Sequence, residues 1–91
     1  MRENKVSEKM LEDLFEIIAS AQNAGECKEL FGDMCTTREI EKMAQRIAAA
    51  KLLIEGKTYN QIIEQTDISS ATLSRVSNAL QYGKGYKKFL K

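Results

Sequence analysis

Histidine and proline are absent from this chain of 91 residues, and cysteine occurs only at Cys27 and Cys35. Without an imidazole there is no His-based metal site and no His-based general acid or base. The carboxylates Glu39, Glu41 and Glu55 fall at helix ends or on exposed faces, and none forms a spaced pair with a nucleophile or a metal ligand. No enzyme activity and no cofactor are therefore expected. The cysteines come with no further partners and no secretory leader, so both are expected as free thiols in a reducing cytoplasm. No apolar run reaches 18 residues, so no membrane span is expected. A chain of this length makes one domain, residues 1–91, and buries only about 60 to 65% of the surface its unfolded form exposes. A second copy of the chain is expected to complete the core.

Charge is balanced overall at +1 but polarised along the chain. Residues 1–57 hold nine basic and eleven acidic side chains, whereas residues 58–91 hold five basic and two acidic. Arg75, Lys84, Lys87, Lys88 and Lys91 share the last seventeen positions with no acid. Such an end suits a polyanion, and a solvated basic tail has the same composition.

Hydrophobic spacing reads as helix throughout. Ser7 caps a first helix in which Met10, Leu11, Leu14, Phe15, Ile17, Ile18 and Ala21 recur at three and four. The pattern dissolves at Gln22-Asn23-Ala24-Gly25. A short second helix follows with Cys27, Leu30, Phe31 and Met34, its end weakened by Gly32-Asp33. Thr36 and Glu39 form a capping box for the longest segment, about eighteen residues ending at the Gly56 cap, whose apolar face is too wide for one short neighbour. Thr58, with Gln61 in a weaker box, opens a helix that packs through Tyr59, Ile62 and Ile63 and stops at Asp67. Ser69 caps another, carrying Ala71, Leu73, Val76, Ala79 and Leu80. Gly83 and Gly85 precede a small last helix with Tyr86, Phe89 and Leu90. Phe15, Phe31 and Phe89 are expected in the core. No segment alternates like a strand, so the fold class is all-α.

Residues 59–78 have the layout of a helix-turn-helix, within a unit of about 58–80. Ile62 and Ile63 form the scaffold face, Asp67 the corner, Ile68 the plug, and Leu73 with Val76 the inner face of the second helix. Left outward are Ser69, Ser70, Ala71, Thr72, Ser74, Arg75 and Asn78, small and hydroxylic with one arginine. That set permits close approach to phosphates and base edges. Two short helices joined by a tight turn also occur as plain packing units whose hydroxyls are only caps, and Asp67 and bulky Ile63 stand where the motif favours smaller residues. The close corner and the acid-free basic stretch after it favour double-stranded DNA as partner.

The phrases Thr37-Arg38-Glu39, Met43-Ala44-Gln45-Arg46-Ile47, Leu52-Leu53-Ile54-Glu55-Gly56, Tyr59-Asn60-Gln61-Ile62 and Ser70 through Leu80 resemble the tryptophan-repressor superfamily over about residues 10–90. The phrase Tyr82-Gly83-Lys84-Gly85-Tyr86 is similar to its poorly characterised bacterial branch. The resemblance implies an intertwined all-helical homodimer with a helix-turn-helix in each subunit, its core drawn from residues 8–56 and the last helix, 85–90. It also implies that Gln61 and Glu64 approach DNA from the scaffold helix while Ser70, Ala71, Thr72 and Ser74 face bases. Glu64 departs from the pattern, because a carboxylate repels phosphate. Lys84, Lys87 and Lys88 are expected at phosphates.

The same resemblance implies an effector pocket at Thr36, Arg46, Arg75, Val76 and Ala79. The arginines would meet a carboxylate and an indole, or Arg46 would instead pair with an acidic neighbour and Arg75 with phosphate. Val76 and Ala79 replace a glycine and a serine of that pocket, so tryptophan is not expected as corepressor, while another small effector stays open. Two function classes remain at this point. One is a sequence-specific transcriptional regulator, most simply a repressor, bound to a palindromic operator as a homodimer. The other is a structural or protein-binding dimer that has lost productive DNA contact.

Overall fold

A computed structural model describes residues 5–90, and their regular structure is six α-helices. These are α1 (Glu8–Ser20), α2 (Ala24–Met34), α3 (Thr37–Ile54), α4 (Tyr59–Thr66), α5 (Ser70–Tyr82) and α6 (Gly85–Leu90). The chain forms two compact units that divide between Thr36 and Thr37, the first with α1 and α2 and the second with α3 to α6.

In the first unit, the Ser7 hydroxyl accepts from the Met10 N–H at 3.2 Å and starts α1 as its position before a periodic segment predicts. An exposed ion pair joins Lys9 to Asp13 one turn on. The helix stops where Ala21 takes extended dihedrals and its N–H closes on the Ile18 carbonyl. The second helix starts earlier than its glycine suggests. Asn23 accepts from the Glu26 N–H at 2.9 Å, and the Glu26 carboxylate reaches back to the Gln22 N–H at 2.8 Å. These reciprocal bonds hold Ala24 and Gly25 inside α2, and Gly32-Asp33 also stays helical up to Met34. Cys27 and Cys35 are free, half-buried thiols.

Neither α1 nor α2 has a buried side chain. Met10, Leu11, Leu14, Phe15 and Ile17 all lie exposed, Phe15 at 63%. The three phenylalanines are therefore not in the core of the subunit: Phe31 is half-buried and Phe89 is 78% exposed. Their apolar neighbours in sequence gather them on helix faces, and spacing alone does not tell how far each face is buried within the subunit.

The second unit has a continuous core of Ala49, Ala50, Ile62, Ile68, Leu73 and Val76. Two alanines on α3 leave room for α4 and α5 to approach closely, and Leu52, Leu53, Ile63, Tyr86 and Leu90 pack around them half-buried. Tyr59, expected among the packing residues of α4, is 41% exposed. Ile62 and Leu73 are the largest side chains wholly removed from solvent. Each contributes about 1.5 to 3 kcal/mol through burial. At the end of α3, Gly56 turns left-handed at φ 87°, Gly56 N–H bonds the Leu53 carbonyl and Lys57 N–H bonds that of Leu52, both at 3.0 Å. That paired arrangement is the glycine-capped termination read from Glu55-Gly56. Gly83, between α5 and α6, serves space instead of dihedral freedom: a Cβ there would come within 2.6 Å of the Ala79 carbonyl oxygen.

Candidate nucleic-acid interface

Two capped helices and a fixed corner build the site. Thr58 accepts from the Gln61 N–H at 3.2 Å while the Gln61 side chain accepts from the Thr58 N–H at 2.9 Å, so α4 begins with a complete capping box. It ends at Asp67, which takes the left-handed conformation (φ 62°, ψ 19°) and bonds its N–H to the Ile63 carbonyl at 2.9 Å. The turn is then locked from three directions. Thr66 donates its hydroxyl to the Ile62 carbonyl at 2.7 Å and accepts from the Ile68 N–H at 3.3 Å. Gln45, reaching across from α3, donates to the Thr66 carbonyl at 3.1 Å, an acceptor left open by the end of α4. Ile68 plugs the corner, buried as its place in the motif predicts.

Ser69 caps α5 by accepting from the Thr72 N–H at 3.1 Å, and its hydroxyl donates to the Thr72 hydroxyl at 2.9 Å. With Leu73 and Val76 turned into the core, Ser69, Ser70, Ala71, Ser74, Arg75 and Asn78 all lie exposed and Thr72 half-buried. The outward set is the one left over from the helical spacing. It carries no carboxylate, and the N-terminal end of α5 adds partial positive charge to the same surface. On α4, Gln61 and Glu64 are exposed, although Gln61 also serves the cap.

The basic end is not uniformly free. Lys84, Lys87 and Lys88 are exposed, but Lys87 donates to the Gln81 carbonyl at 2.6 Å, tying the last turn of α5 to α6. Lys88 sits 5.7 Å from the Phe89 ring centroid. Lys84 makes no such contact among the described residues.

The five residues of the implied effector pocket fall in different surroundings. Arg46 lines a cavity of about 380 Å³ with Arg38, Glu41, Lys42, Gln45, Asp67, Ile68, Ser69 and Thr72. Ala79 lines a separate apolar groove of about 350 Å³ with Ile47, Tyr86, Phe89 and Leu90. Val76 is buried between α3 and α5, Arg75 is on the outer face of α5, and Thr36 is exposed just before α3. Arg46 makes no pair with an acidic neighbour among the described residues. Gln45, Thr66, Arg38 and Lys42 are site residues that motif reading passes over. The basic spacing of Arg38, Lys42 and Arg46 at four and four is the available signal for two of them.

Residues 9–91 match the family described as Trp repressor protein. The chain belongs to the Trp repressor family. An uncharacterised Bacillus subtilis (strain 168) protein, YerC, is 43% identical over 83 residues, which is 91% of this chain and 80% of that one. A Staphylococcus aureus crystal structure described as a candidate Trp repressor superposes with a TM-score of 0.86 at 38% identity, covering 92% of this chain and 85% of that chain. The family is one of DNA-binding regulators and not of enzymes. Among the described residues, no three His, Cys, Asp or Glu side chains gather as a metal site, and no helix is long and apolar enough to cross a membrane.

Proposed function

We propose that this member of the Trp repressor family is a sequence-specific transcriptional repressor that binds a palindromic operator as an intertwined homodimer. The observation that carries the reading is the division of α5. Leu73 and Val76 fix one face in the core, and Ser70, Ala71, Ser74, Arg75 and Asn78 stand exposed on the other. A helix anchored in this way, behind a corner held by Gln45 and Thr66, presents its outer face on a backbone already fixed before binding. Arg75 supplies a donor fork for guanine or phosphate, and Ala71 and Thr72 supply methyl contact for thymine.

The homodimer accounts for the exposed apolar face of α1 and for Phe89, Tyr82 and Ile47, which a partner subunit would cover. Two copies of α5 then enter successive major grooves about 34 Å apart. The Tyr82-Gly83-Lys84-Gly85-Tyr86 phrase supports placing the chain in the bacterial branch that it resembles. Tryptophan has no part in the reading: the Val76 side chain belongs to the core, and Ala79 has no hydroxyl to accept from an ammonium group.

Selection of bound duplexes from a random pool, followed by titration at fixed salt, is the test. A two-fold motif should be enriched. Arg75→Ala and Thr72→Ala should each weaken binding to it by roughly 1 to 3 kcal/mol with unchanged helix content. Unchanged affinity in both variants would remove α5 as the reader. Failure to enrich any motif would favour the dimer without productive DNA contact, for which exposed Glu64 on α4 is an unfavourable charge.

A further inference from the structure

We propose that the basic face of the first half of α3, formed by Arg38, Lys42 and Arg46, is a second DNA-contacting surface that grips backbone phosphates beside the groove read by α5. The inference rests on the DNA-binding reading above and adds an element to it that the helix-turn-helix does not contain.

Spacing at four and four puts the three cations on neighbouring positions of one helix face. That face opens into the same cavity as Ser69 and Thr72, the capping pair of the recognition helix, so both surfaces are within reach of one ligand. Two acids, Glu41 and Asp67, line the cavity as well. Neither is in direct contact with the basic groups: the side chains of Arg38, Lys42 and Arg46 form no ion pair or hydrogen bond among the described residues, and three cations against two acids leave the lining net positive. All three side chains are exposed and available.

Arg38 also breaks a local rule. It lies in the first turn of α3, where the helix dipole disfavours a cation and favours an acid such as its neighbour Glu39. A charge that opposes its own helix is retained more readily where a partner outside the chain uses it. Length decides which partner. Eight residues at 1.5 Å each set Arg38 and Arg46 about 12 Å apart along the axis. A row of that length fits consecutive phosphates of one strand, whereas a compact anion engages one or two of the cations.

The experiment is a salt titration of the full chain on its selected duplex and on random duplex, between roughly 50 and 200 mM salt. It compares the wild type, the double variant Arg38→Gln/Lys42→Gln, the single variant Lys42→Gln, and Lys51→Gln as a control on another face of α3. Every phosphate that is no longer neutralised lowers the slope of log affinity against log salt by about 0.9. The double variant should therefore flatten the slope by about 2 to 4 in a dimer, on both duplexes alike, and the single variant by about half of that. Lys51→Gln should leave it unchanged. Ethylation interference should vanish at particular phosphates in the double variant.

Tight wild-type binding with an unaltered slope in both variants would overturn the proposal and leave the regulator reading intact. Absence of any wild-type binding would sink the regulator reading and this surface with it. Saturable binding of inorganic phosphate that the substitutions abolish, with the DNA slope unmoved, would make the cavity a small-anion site and equally overturn the proposal. If the double variant fails to fold by circular dichroism, the single variant decides.

Discussion

Asp67 bears the tightest local constraint in the helix-turn-helix, as the one non-glycine residue with positive φ among those described. A left-handed backbone costs an ordinary L-residue roughly 1 to 2 kcal/mol, and aspartate lowers that cost through its short polar side chain. Alanine lacks the relief and glycine does not need it. Asp67→Gly should accordingly be more stable than Asp67→Ala by about 1 kcal/mol, read as a difference in urea midpoint at one protein concentration. Equal midpoints would mean that the corner relaxes out of the left-handed region. The place of Asp67 is legible in the sequence, because a short polar residue between two periodic segments has few other uses. Gln45 is not. Its partner is the Thr66 carbonyl, 21 residues on, and no local pattern encodes which backbone acceptor a helix end leaves open.

Among the helices, those bounded by hydroxyl caps are legible to within a residue or two. Thr58 with Gln61 starts α4, and Ser69 starts α5, as the spacing of hydroxyl and amide groups implies. Periodicity sets the boundary of α2 too late, because Ala24-Gly25 has the composition of a break. Asn23 and Glu26 carry the same reciprocal logic in different residue types, and two hydrogen bonds outweigh the cost of one glycine, about 1 kcal/mol. Gly25 even assists, since a Cβ at that position would come within 3.2 Å of the capping Asn23 oxygen. For α4, removal of the cap is a clean test, because Thr58 is not a proposed DNA contact and its side chain accepts from Gln61 alone. Thr58→Ala should lower stability by about 1 kcal/mol. Thr58→Ser should recover most of that, as measured by thermal unfolding at matched concentration. Equal losses in the two variants would place the role of Thr58 in its methyl group instead of its hydroxyl.

At the scale of the whole molecule, the periodicity of α1 declares an apolar face but cannot say which chain covers it. The same stripe of Met10, Leu11, Leu14, Phe15 and Ile17 serves an internal core or an interface equally well, and spacing alone does not distinguish the two. Burial of a Leu, Ile, Met or Phe side chain yields about 1.5 to 3 kcal/mol, so leaving all five in water forfeits a stability comparable to that of an entire small domain. In the proposed homodimer a second copy would remove the deficit at both surfaces at once, in a two-fold interface where each patch meets its equivalent. The mid-transition temperature should therefore rise with protein concentration. Light scattering at low micromolar concentration should give twice the 10.3 kDa chain mass. Phe15→Asp sets a charge on that face and should shift the equilibrium toward monomer while lowering the melting temperature. Operator affinity should fall with it, because two joined half-sites bind far more tightly than one. A cooperatively melting monomer with concentration-independent unfolding would defeat the dimer, and two-fold operator recognition would fall with it.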